Sequence, residues 1–108
     1  MSNTNRIAEI KKMLEESPED TFLHYALALE YIVLGEIHNG MGLLENIRAK
    51  SPDYLAVYMK LGKMYHALQD IPKAIEAIEQ GIIVARNKQD FKTLNELEQV
   101  LEDIKDDE

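Results

Sequence analysis

Residues 60–75 read KLGKMYHALQDIPKAI, with a glycine inside one helical pattern and a proline at the head of the next. In a helix interior glycine costs about 1 kcal/mol relative to alanine, and proline about 3 kcal/mol. Both placements have a physical reason. Leu61-Gly62 is followed by Tyr65, and Ala74 lies further on, so a small residue stands in each of two successive helices. Small residues at facing positions let two helix backbones approach closely, and that packing offsets the lost propensity of Gly62. Pro72 falls in the first helical turn, where its missing N–H has no intrahelical partner to lose. Gln69-Asp70 forms the turn, with Asp70 as the expected cap.

Thirty-four residues earlier the counterparts are Leu27-Ala28, Tyr31 and Gly40, and Ser17-Pro18 and Ser51-Pro52 stand at that same interval of 34. Punctuation recurring at a fixed interval of this size marks an internal repeat. Ser17-Pro18-Glu19-Asp20 and Ser51-Pro52-Asp53 each read as a helix start, with serine as cap, proline at the first helical position and acids near the positive dipole end. Apolar periodicity then predicts helices over about 4–16, 19–34, 37–50, 53–67, 71–86 and 90–105. No segment alternates as a half-buried strand does. The chain is expected to be all-α.

Composition bounds the rest. The 108 residues suit one small domain, and 45% hydrophobic content makes it globular. Twelve basic against twenty acidic residues leave a formal charge of -8, which opposes binding to nucleic acid or to an anionic membrane. There is no cysteine, hence no disulfide or thiol chemistry. The opening MSNTNRIAEIKKML lacks the apolar core of a secretory leader. The longest apolar stretch, 22–34, is shorter than the ~20 residues of a membrane span. A cytoplasmic protein is expected.

The pattern resembles the tetratricopeptide repeat, a 34-residue helix-turn-helix unit, and in particular a small bacterial-type protein with two central repeats between capping helices. The first unit supplies His24, Leu27, Ala28, Tyr31, Gly35, Gly40, Leu44, Ile47 and Pro52. The second supplies Tyr58, Leu61, Gly62, Tyr65, Gln69, Ala74, Ile78 and Gly81. Three places depart from the family pattern: His24 replaces a large aromatic, Arg86 stands where the closing proline belongs, and the last helix is out of register. The resemblance implies a right-handed α-α superhelix, a solenoid of about six short antiparallel helices. As one domain over 1–108 it divides into a capping helix at 4–16, repeats at 19–52 and 53–86, and a capping helix at 90–105.

The ends support a complete, capped solenoid. Ile7, Ile10 and Leu14 form one stripe, as do Phe91, Leu94, Leu97, Leu101 and Ile104, whereas residues 22–34 are apolar nearly all round and should be sandwiched. The acids of 102–108 crowd a helix C-terminus, where the dipole disfavours them. They read as a frayed, solubilising end.

Catalytic signals are lacking. No two of His24, His38 and His66 are spaced as ligands on one helix. No nucleophile elbow, P-loop or dinucleotide fingerprint is present. The carboxylates read as solvated faces. Neither enzyme activity nor a cofactor or metal is expected.

In the family resembled, the first helices of successive units line a concave groove that grips a peptide or a partner's helix. The corresponding stripe is Phe22, Tyr25, Leu29 and Ile32 in the first unit. In the second it is Ala56, Met59, Lys63 and His66, flanked by Lys60. The groove would be apolar at one end and basic at the other. Some members hold acidic C-terminal peptides of chaperones with a Lys and Asn clamp; here Tyr25 and Leu29 occupy those places, so that specificity is not implied. The expected function is a non-catalytic protein-interaction module for an unidentified protein or peptide. The alternative is a structural block whose apolar groove face, otherwise covered as core by the terminal helices, makes a homodimer.

Overall fold

The computed structural model describes residues 3–108, and among them six α-helices: α1 (Asn3–Glu16), α2 (Thr21–Val33), α3 (Ile37–Lys50), α4 (Ala56–Ala67), α5 (Ile71–Asn87) and α6 (Phe91–Asp106). Met1 and Ser2, the start of the stretch read for a leader, lie outside the described residues. The helices fall into two compact units, one ending at Pro52 and the other spanning Asp53–Glu108. In the first, α2 packs against both α1 and α3; in the second, α5 packs against both α4 and α6, and α4 also touches α6.

Short turns of a common design join α2 to α3, α4 to α5 and α5 to α6. Gly35, Gln69 and Gln89 adopt the left-handed conformation, with φ of 86°, 65° and 58°. Around each, two reversed hydrogen bonds close the preceding helix: Gly35 N–H to the Ile32 carbonyl with Glu36 N–H to Tyr31, and the same pair at Gln69-Asp70 and at Gln89-Asp90. At the second and third turns the next residue also caps the following helix with its side chain, whereas Glu36 makes no such bond to α3. Asp70 accepts from the Lys73 N–H at 3.2 Å and Asp90 from the Thr93 N–H at 3.1 Å. The backbone and hydroxyl hydrogen bonds from Thr93, with Lys88 and Lys92 nearby, hold the Asp90 carboxyl below its ordinary range. Glutamine is poorly suited to positive φ, which costs a non-glycine residue about 1–2 kcal/mol. Gln69→Gly and Gln89→Gly are therefore each expected to stabilise the protein by about 1 kcal/mol, read as an upward shift of the urea midpoint.

The two Ser-Pro signals do not start helices. Asp20 N–H bonds the Ser17 carbonyl at 3.1 Å, so residues 17–20 form a β-turn with proline in its favoured second place. The cap of α2 is Asp20, which accepts from the Leu23 N–H at 3.0 Å. The Ser51 hydroxyl is engaged by Thr21 at 3.1 Å, and α4 begins only at Ala56. Proline here ends one helix and turns the chain, leaving the first N–H groups of the next to a later residue.

Close helix crossings anchor both units. A Cβ on Gly62 would lie 2.2 Å from Ile78 Cδ1, and a Cβ on Gly40 would lie 2.5 Å from Ile32 Cγ1 and 2.9 Å from the Ala28 carbonyl. In each unit an isoleucine fills the space that the missing methyl leaves. Gly40 is on α3, the second helix of its pair, and Gly62 is on α4, the first helix of its pair. Gly81 makes a third approach, where a Cβ would meet Tyr58 Cβ at 2.7 Å.

Around these crossings Leu44, Leu61, Ile78, Leu97 and Ile104 are fully buried, each contributing about 1.5–3 kcal/mol of apolar burial. Ile7 and Ile10 of α1 pack with Leu27, joined by Leu14, Leu23, Ala26, Tyr31 and Leu43. In α6, Leu94, Leu97 and Ile104 join Ala74, Ile78, Ile82 and Ala85 of α5.

Three expectations about faces are corrected. The 22–34 helix is not covered all round: Leu27 and Ala28 are buried, while Phe22 is 64% and Val33 67% exposed. Phe91 is outside the α6 stripe and largely exposed, because it sits at the first helical residue, before the helix settles onto α5. The C-terminal acids are not a frayed end. The helix continues to Asp106, fastened by the buried Ile104, and Asp107 and Glu108 donate N–H groups back to Ile104 and Lys105.

Candidate functional site

The site read from the sequence divides between the two units. In the first, α2 is amphipathic in an unusual sense, with two apolar stripes. One holds Leu23, Ala26, Leu27 and Tyr31 and receives α1. The other holds Phe22, Tyr25, Leu29 and Ile32 at intervals of three and four. Phe22 is exposed and the remaining three are half-buried. Ile32 is partly committed to the fold, since its Cγ1 sits where a Gly40 methyl would be.

In the second unit Met59, Lys60, Lys63 and His66 follow one side of α4. Lys63 is exposed, and the others are half-buried. Met59 packs against the α5–α6 core, so it is an edge residue of that core as well as a member of the stripe. Ala56 opens the helix and is exposed. His66 is engaged: its Nε2–H donates to Asp107 Oδ2. This contact was not foreseen. Its signal in the sequence was the run of acids at a helix end that the dipole disfavours, which calls for a cationic neighbour from elsewhere in the fold.

Two helix-turn-helix crossings, built on small residues 34 positions apart and closed by the same turn, invite comparison with known proteins. A tetratricopeptide repeat domain protein from Salinibacter ruber, determined in solution, is 37% identical, with a TM-score of 0.78 over 81% of this chain and 88% of that one. The chain belongs to the tetratricopeptide repeat family.

Two further relatives agree. A TPR repeat-containing protein of Methanocaldococcus jannaschii is 32% identical over 73 residues, 68% of this chain. One of Pseudomonas aeruginosa is 28% identical over 91 residues, 84% of this chain. The chain spans 23% of the length of the first and 87% of the second. No protein-family model matches the sequence.

The family assignment accounts for the small residues and for Tyr31 and Tyr65. It does not account for His24, which stands where the repeat pattern has a large aromatic. Its Nε2–H donates to the Pro18 carbonyl at 2.7 Å, tying α2 to the preceding turn. Beside it lies a small pocket of about 140 Å³ lined by Pro18, Thr21, His24, Asn46, Lys50 and Ser51. His38 is exposed near the start of α3. Among the described residues no three His, Asp or Glu side chains gather in a way that could hold a metal, and no helix is long and apolar enough to cross a membrane.

Proposed function

We infer that this protein is a non-catalytic interaction module that takes a partner peptide or helix against the outward faces of α2 and α4, the groove-lining helices expected from the sequence. The observation that carries this reading is Phe22. Helix α1 occupies the Leu23–Leu27–Tyr31 side of α2, while Phe22, at the head of the other stripe, is 64% exposed. An aromatic ring at the head of an apolar stripe offers a partner about 1.5–3 kcal/mol of burial. Lys63 supplies charge on α4. The family supports protein partners in general; the partner segment proposed here is apolar, with an acidic residue to meet Lys63 or Lys60. The repeats proposed are 19–52, which carries α2, and 53–86, which carries α4. A net charge of -8 favours such a partner over nucleic acid or an anionic membrane, and the cytoplasm is the compartment proposed.

The test pairs capture with measurement. A tagged chain and its Phe22→Glu/Lys63→Glu variant are used to capture proteins from the source cell, and the affinity of the captured protein is then measured for both. Both side chains are exposed, so the variant should melt like the parent. It should bind at least 2 kcal/mol more weakly, roughly thirtyfold. Equal affinity would overturn the assignment of these faces. The homodimer reading rests on the same exposed Phe22. It predicts that light scattering finds twice the chain mass, and that Phe22→Glu halves it.

A further inference from the structure

We propose that the basic end of α4, Lys63 and His66 with Lys60 beside them, is a receptor for acidic side chains, and that the chain's own Asp106-Asp107-Glu108 end competes for it. This rests on the reading of the outward face of α4 as a docking surface. It goes beyond that reading by naming the chemistry recognised and an internal occupant.

Lys63 and His66 are three positions apart on one helix and therefore neighbours on its surface, and one of them already holds a carboxylate. Asp107 caps α6 and places its side chain on His66 Nε2, while Glu108 lines a shallow pocket with Ile71, Pro72 and Ile75 at the start of α5. The contact joins residues 41 positions apart. It is not a consequence of local helix geometry; it exists because buried Ile104 and Leu97 seat α6 in the core of the unit.

Three acids at a helix C-terminus lie against the dipole, and only Lys105 supplies a cation in the last turn. The His66 side chain is 27% exposed and that of Asp107 60% exposed. A solvent-accessible pair of this kind is held weakly. A weakly held carboxylate is displaceable, as an internal competitor must be. A partner's Asp or Glu, delivered with apolar contacts that the tail lacks, would replace Asp107 on His66 and gain Lys63.

The experiment uses the full chain and its isosteric variant Asp106→Asn/Asp107→Asn/Glu108→Gln. The probe is the acetylated peptide LIDDE, with LINNQ as its neutral control, titrated while backbone amide shifts are followed by NMR. Neutralising the tail should tighten LIDDE binding about fivefold, the factor corresponding to about 1 kcal/mol. Shifts should centre on Lys63 and His66, LINNQ should show no gain, and a further Lys63→Glu change should remove it. Equal LIDDE affinity for the parent and the variant, with shifts on α4, would overturn the tail as competitor and leave the α4 surface standing. Shifts elsewhere, or no binding to either chain, would overturn the surface itself.

Discussion

Gly62→Leu is expected to unfold the second unit at temperatures where the parent is native. The Gly62 methyl position lies 2.2 Å from Ile78 Cδ1 and 2.4 Å from Ile78 Cγ1. Ile78 is fully buried, with Ala74 and Ile82 near it in the same core, so it has no space to turn into. A leucine would have to push α4 away from α5, and overpacking of this kind costs about 1–3 kcal/mol or more. Gly62→Ala sets the scale. It gains about 1 kcal/mol in helix propensity and loses more to the clash. Combining Gly62→Ala with Ile78→Val, which removes Cδ1, should be less damaging than the sum of the two changes. Lys73→Ala, on the surface of α5, is the control, and its loss is limited to a cation placed 5.6 Å above the Tyr65 ring. Thermal melts of these variants and of Ile78→Val alone test this, and equal midpoints for Gly62→Leu and Lys73→Ala would show that the crossing is not close in solution.

Leu97→Ala is expected to cost about 2–5 kcal/mol, against a total stability of about 5–15 kcal/mol for a domain of this kind. Leu97 is fully buried, and its Cδ1 lies 3.3 Å from the Gly81 methyl position on α5. The wall on the other side of that space is Tyr58 of α4, so a cavity there is bounded by three helices and cannot close by the shift of one. Urea denaturation should show a lower midpoint, and amide exchange should accelerate first in α6. A midpoint within error of the parent would mean that α6 is a loosely laid cap rather than part of the core.

How much of this was legible in the sequence follows from what each signal depends on. The paired small residues and the turn at Gln69-Asp70 are local or repeated features, and they gave the helices and their pairing. The Ser-Pro marks misled about two helix starts because the same residues serve equally as a cap with a first helical proline or as the first half of a β-turn. The choice is made by hydrogen bonds the motif does not encode: the Ser17 carbonyl accepts from the Asp20 N–H and closes a β-turn, and the Ser51 hydroxyl pairs with Thr21 rather than with the following helix. Periodicity placed Met59 and Ile32 on an outward stripe but could not show that each is also wedged into a core edge, because that depends on the neighbouring helix. The His66–Asp107 pair was illegible for the same reason. Its members are far apart in sequence, and only the seating of α6 brings them together.

The reversed placement of glycine and isoleucine bears on anyone who designs with this chain. In the first unit Gly40 is filled by Ile32, one helix away; in the second Gly62 is filled by Ile78. At the first-helix position the two repeats therefore hold alanine and glycine, and at the second-helix position glycine and alanine. A consensus sequence chosen column by column ignores this dependence. It could unite glycine with glycine and leave a void, or alanine with an unmoved isoleucine and force a clash. The inheritable unit is the hollow together with its plug, and a chimera of these repeats keeps its packing only if both cross over as a set.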